Sequence, residues 1–162
     1  HNVYGERQNI SDKYRNVIGI FMNQILQKQS MTIFGDGEQT RAFSYIGDVA
    51  PIIARSIERN TAYNQIYNIG ADTPYSINHL SREVARAMES EVNIKYLDAR
   101  NEVVHAYSAH TKVSSHFGDL IKNITLEDGL NEMAFWVKNQ VLRKTKTFNN
   151  IEVTKNLPES WR

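Results

Sequence analysis

The stretch Thr32-Ile33-Phe34-Gly35-Asp36-Gly37-Glu38-Gln39-Thr40-Arg41-Ala42-Phe43-Ser44-Tyr45-Ile46-Gly47-Asp48-Val49 changes its periodicity twice. Met31–Phe34 reads as a strand that ends in a glycine turn, and Ala42–Ile46 reads as a second strand. Asp48 then stands where a helix cap belongs, ahead of the apolar stripe Val49, Ile52, Ile53 and Ile57, with Pro51 in the first turn. Strand, turn, strand and helix within about thirty residues is the grammar of an α/β chain.

Working outward, Val17, Ile18, Phe21, Met22, Ile25 and Leu26 recur at helical spacing between Asn16 and Lys28. Ser76 precedes Ile77, Leu80, Val84 and Met88, and Thr125-Leu126-Glu127-Asp128 resembles a capping box ahead of Leu130, Met133, Val137 and Val141. A shorter helix over Thr111–Phe117 stops at Gly118. Gln65–Ile69 and Val92–Leu97 complete the strands. The fold class is therefore α/β, a small mixed sheet packed with helices, over residues 1–142. From Arg143 to Arg162 the periodicity fades and the chain reads as a tail.

Composition narrows the chemistry. The 162 residues carry 19 basic and 18 acidic side chains, a net charge of +1, so no surface is built to neutralise a phosphate backbone and nucleic acid is not an expected partner. With no cysteine there are no disulfides, no thiolate catalysis and no cysteine-bound zinc, which fits a cytoplasmic setting. No apolar run reaches the roughly 20 residues of a membrane span, and no membrane partner is expected. His105, His110 and His116 lack the spacing of a zinc pair. The eight glycines form no G-x-G-x-x-G cluster, so no dinucleotide turn is legible, and Gly35-Asp36-Gly37 reads as a hairpin-like turn.

Four segments, taken in order, resemble the second half of an extended short-chain dehydrogenase/reductase of the NAD-dependent sugar-nucleotide epimerase/dehydratase family. Asn2-Val3-Tyr4-Gly5-Glu6-Arg7-Gln8 is similar to the family's N-x-Y-G-x-x-Q, and Thr32–Val49 to its I-F-G-D-G-x-Q-T-R-D-F-x-Y-V-x-D-V. Tyr67-Asn68-Ile69-Gly70 and the run from Ala99 to Leu130 follow in family order. Arg100-x-Glu102-Val103 and the Asn-Leu-Pro-x-Ser-Trp ending resemble UDP-glucose 4-epimerases most. Nucleotide-sugar 4,6-dehydratases, or a stand-alone non-catalytic binding module, are the alternatives.

The resemblance implies a site for a UDP-sugar. Arg41 falls at the family's phosphate-binding arginine, and arginine suits that role because its planar fork stays charged and donates two hydrogen bonds. Where the family has Asp, this chain has Ala42. Arg100 matches the second phosphate arginine. Glu102 either pairs with Arg100, reaches a ribose hydroxyl, or forms a plain surface ion pair. Asn2 stands where relatives hold a phosphate or the sugar, and Asn16 caps a helix whose N–H groups face an anion or simply the cap. Thr32 and Phe34 lie on the strand edge that reads the base, with Phe34 against the ring or in the core.

The family's glycine-rich NAD turn and its catalytic Tyr-x-x-x-Lys belong upstream of the Asn-x-Tyr-Gly segment. None of the eight tyrosines here has a lysine four places on. The resemblance thus implies NAD in the whole enzyme, none bound to this chain, no catalytic residue within it, and no activity by itself. Its expected partner is an N-terminal Rossmann half or a second copy of the chain.

Overall fold

The computed structural model describes residues 2–11, 16–106 and 108–141. The tail expected over 143–162 lies outside them. In chain order the elements are β1 (Val3–Tyr4), α1 (Val17–Leu26), β2 (Met31–Phe34), β3 (Thr40–Ala42), β4 (Ser44–Tyr45) and α2 (Ile46–Arg55). They continue with β5 (Pro74–Ser76), α3 (Ile77–Ala87), β6 (Ile94–Leu97), β7 (His105–Ala106), α4 (Thr111–Phe117) and α5 (Leu126–Lys138).

The apolar stripes of α1, α3 and α5 face one another and β2, making the main core around Ile18, Phe21, Met22, Ile33, Leu80, Val84, Leu130 and Met133. Three caps set their starts. The Asn16 side chain accepts from the Ile18 N–H, the Ser76 hydroxyl from the His79 N–H, and the Thr125 hydroxyl from the Asp128 N–H. Asp128 completes the box differently from glutamate, since its carboxylate takes the Thr125 hydroxyl proton at 2.6 Å.

The strands pair in three small sheets. β1 lies parallel to β4, β2 parallel to β6, and β3 is central between antiparallel β5 and parallel β7. The expected single strand Ala42–Ile46 is thus split. β3 and β4 take different partners on either side of buried Phe43, and Ile46 already opens α2. No strand forms over Gln65–Ile69, where Ile66 is 87% exposed while Tyr67 and Ile69 pack beside Phe117 in a second small core.

Around α2 three further expectations change. Tyr45, whose side chain makes no capping bond, is the cap, and Pro51 lies in the helix interior. Asp48 instead turns to the chain before α5, where its carboxylate accepts the Lys122 and Ile124 N–H groups, each at 2.8 Å. Of the predicted stripe, Val49 and Ile52 are buried, but Ile53 faces out because Ile52 takes the face packed on Val113 and Phe117, and Ile57 faces out from the 3₁₀ turn that follows α2. Val141 likewise lies beyond the end of α5 and is exposed. Gly118 ends α4 with right-handed backbone (φ −56°), and the chain runs on into a 3₁₀ turn. Among the described residues no helix is long and apolar enough to cross a membrane.

Candidate functional site

β3 holds Arg41 between two neighbours, opposite Tyr75 on β5 and Ala106 on β7. A residue on a central strand has its backbone fixed on both sides, so its side chain is aimed reproducibly. Nη1 of Arg41 donates to the carbonyls of Thr40 (2.8 Å) and Val104 (3.1 Å), and Nη2 to Glu102 Oε2 (2.9 Å). Glu102 therefore pairs with Arg41 and not with Arg100. Beside them the Thr40 hydroxyl meets His105 Nδ1 at 2.7 Å.

Arg100 lies on Phe34, its guanidinium carbon 3.1 Å from the ring centroid. Its Nε is buried and has no hydrogen-bond partner among the described residues. Burial pulls its pKa down, against an opposing pull from Glu102, yet arginine stays charged at any working pH. A planar cation over an aromatic face is the stacking arrangement arginine favours.

Phe34 is held at the mouth of the glycine turn. Gly35 (φ +73°) and Gly37 (φ +79°) take left-handed backbone, and a Cβ on Gly37 would fall 2.2 Å from Asn78 Oδ1. Asn78 fills the turn, its Nδ2 donating to the Asp36 carbonyl (2.8 Å) and to Glu38 Oε1 (2.6 Å). The turn is consequently occupied by protein and is not the cradle a dinucleotide pyrophosphate needs.

The strand edge follows from the pleat. Met31 and Gly35 N–H groups reach across to Asn93 and Leu97 beside β6, so the backbone groups of Thr32 and Phe34 point to the opposite edge. Gln24 on α1 covers part of that edge, accepting the Thr32 N–H (3.1 Å) and donating to its hydroxyl (2.9 Å). Gln39 donates to the Phe34 carbonyl at 3.0 Å. Among the described residues, the edge still offers the Thr32 C=O as an acceptor and the Phe34 N–H as a donor.

Asn2 and Asn16 hold the scaffold. Asn2 Nδ2 donates to the Ala42 carbonyl next to Arg41 (3.1 Å), and Asn16 Nδ2 to the Val3 carbonyl (3.1 Å). The structure thus brings Arg100 onto Phe34 and Arg41 to Glu102, which also acts on Arg100, sets Thr32 on the same strand as Phe34, places Asn2 beside Arg41, and keeps Asn16 as a cap. Gln24, Gln39 and Asn78 escape sequence reasoning, because nothing local pairs residue 24 with 32 or 78 with 37.

Elsewhere, a cavity of about 340 Å³ opens between α2 and α4, with buried His110 holding Nδ1 2.6 Å from Asp72 Oδ1. A shallower one of about 570 Å³ is lined by Ile53, Ile57, Tyr63 and Phe117. None of the predicted site residues lines either cavity.

The architecture is that of the carboxy-terminal half of an extended short-chain dehydrogenase/reductase. Residues 1–70 match the model of the NAD dependent epimerase/dehydratase family. A protein of Methanocaldococcus jannaschii assigned as a UDP-glucose 4-epimerase is 34% identical over 138 residues, covering 85% of this chain and 44% of its own length. The dTDP-L-rhamnose 4-epimerase of Burkholderia thailandensis is 28% identical over 146 residues, 88% of this chain and 39% of that protein. The solved UDP-N-acetylglucosamine 4-epimerase of Methanobrevibacter ruminantium M1, in complex with UDP-N-acetylmuramic acid, superposes with a TM-score of 0.78 at 30% identity over 86% of this chain and 44% of that one. The chain belongs to the NAD dependent epimerase/dehydratase family, and it spans less than half the length of these relatives.

Proposed function

We propose that this chain is the sugar-nucleotide-binding half of an NAD-dependent nucleotide-sugar epimerase whose ligand is a UDP-sugar and whose reaction resembles that of UDP-glucose 4-epimerase. The observation that carries the reading is Arg100 stacked on Phe34, with Glu102 acting on Arg100 and paired with Arg41, beside a strand edge that offers the Phe34 N–H as donor and the Thr32 C=O as acceptor. A uracil presents an imide N–H next to a carbonyl, which matches the Thr32 C=O and the Phe34 N–H in kind and in order. Its ring takes the face of Phe34, and Arg100 swings off that face toward the diphosphate. Arg41, anchored through Nη1, supplies the second cation.

This division of labour leaves NAD and the proton-transferring groups to a partner half. Supporting that, the Gly35–Gly37 turn is filled by Asn78, and Ile53, Ile57 and Tyr63 expose apolar surface around one hollow. An N-terminal Rossmann half or a second copy of the chain covers that surface in this reading, and the cytoplasm is where it operates.

Calorimetric titration with UDP tests the proposal. Arg41→Ala should weaken binding by roughly 1.5–3 kcal/mol, the scale of a hydrogen bond to a charged group. A surface arginine without this role would cost under about 0.5 kcal/mol, and that result would contradict the reading.

A further inference from the structure

Arginine has five N–H donors. On Arg41 both Nη1 hydrogens are committed to backbone carbonyls, those of Thr40 and Val104, which do not move away for a ligand. An incoming phosphate is left with Nε–H and the two Nη2 hydrogens, one of which already goes to Glu102 Oε2, so a phosphate that docks there lies against the carboxylate. The two partners differ in freedom. The Arg41 side chain is 15% exposed and fixed in a sheet, while Glu102 is 39% exposed on the loop before β7. Glu102 also acts electrostatically on Arg100, so one carboxylate faces both cations of the site.

We propose that Glu102 is an internal competitor for the diphosphate: it neutralises Arg41 in the free protein and, repelled by the incoming anion, gives way when the ligand binds, without touching the ligand itself. The inference rests on the reading of Arg41 as a diphosphate-binding residue. Its physical basis is an exchange of one anion for another at the same guanidinium. Releasing an exposed carboxylate to water is cheap, so the competition lowers affinity modestly and does not block the site. It also imposes a charge filter. A ligand must carry enough negative charge to replace the carboxylate, so a diphosphate succeeds where a neutral nucleoside gains nothing from the arginines.

The experiment is titration of the whole protein with UDP, UMP and uridine, comparing wild type, Glu102→Gln, Glu102→Ala and Arg41→Ala. Thermal melts run alongside establish that each variant is folded. Glu102→Gln should tighten UDP binding about two- to five-fold, the range of an exposed ion pair. UMP should gain less and uridine nothing, and the gain should shrink at high salt. Glu102→Ala should share the sign. Arg41 keeps both carbonyl anchors in either variant, so its orientation survives the substitution.

Weaker UDP binding in both Glu102 variants would mean that the glutamate contacts the ligand, and an unchanged affinity would make it a bystander. Either overturns the inference while leaving Arg41's role intact. UDP binding that is absent, or indifferent to Arg41→Ala, overturns the functional reading and this inference with it.

Discussion

Replacing Asp48 by alanine should loosen the molecule where α2 meets the chain entering α5. Its two carboxylate oxygens accept the Lys122 and Ile124 N–H groups at 2.8 Å each, and these are contacts between parts of the chain more than seventy residues apart. Hydrogen bonds to a charged acceptor contribute about 1.5–3 kcal/mol where water cannot replace them. The bond to Ile124 is part-buried and keeps that value, whereas the bond to Lys122 is exposed and counts for less. Together they make the loss in Asp48→Ala about 2–4 kcal/mol. For a domain of this size that lowers the melting temperature by about 6–15 °C. Asp48→Asn keeps one acceptor oxygen and should lose about half as much. Urea unfolding followed by circular dichroism gives the free energies directly. A loss below about 0.5 kcal/mol in Asp48→Ala would refute the reasoning, because it would mean that solvent satisfies both N–H groups equally well.

Gly37→Ala should destabilise by at least about 2 kcal/mol, since it combines left-handed backbone with a Cβ 2.2 Å from Asn78 Oδ1, and the same unfolding assay reads it. Alkaline pH should also unfold the protein in a defined window. Burial raises the phenol pKa of Tyr4 and Tyr45, with Tyr45 held further by its hydrogen bond to Glu6. The folded values lie above the unfolded value of about 10, so stability is intact below pH ~10 and falls as the pH rises beyond it. Unfolding free energies across that range, together with phenolate absorbance, check the direction. Stability that stays flat well above pH ~10 would be the contrary result.

How much of this was legible in the sequence differs by element. The helices α1, α3 and α5 announce themselves because a stripe such as Leu126, Leu130, Met133 and Val137 is a local pattern, and Ser76 and Thr125 mark where the chain turns helical. The strands β1, β5 and β7 are two or three residues long and exist only through distant partners, as when Arg41 lies opposite Tyr75. No local signal encodes such pairing. Asp48 looks like a helix cap because its neighbours are apolar, yet its partners arrive from residues 122 and 124. The same holds at the site. Arg41 is visible through its motif, but its ion pair with Glu102 spans sixty-one positions, and Arg100 reaches Phe34 only because β2 and β6 are neighbours. Ile53 and Ile57 misled in the opposite sense, since a stripe in sequence says that a face is apolar and not that this chain alone covers it.

The central claim, that the nucleotide lies on Phe34 between Arg41 and Arg100, is met most directly by an amide-resolved NMR titration with UDP. The Phe34 N–H and the Nε–H signals of Arg41 and Arg100 should shift and saturate together, while His110 and its neighbours in the cavity between α2 and α4 stay unmoved. Saturating shifts around Asp72 and His110, with Phe34 and the two arginines unchanged, would contradict it.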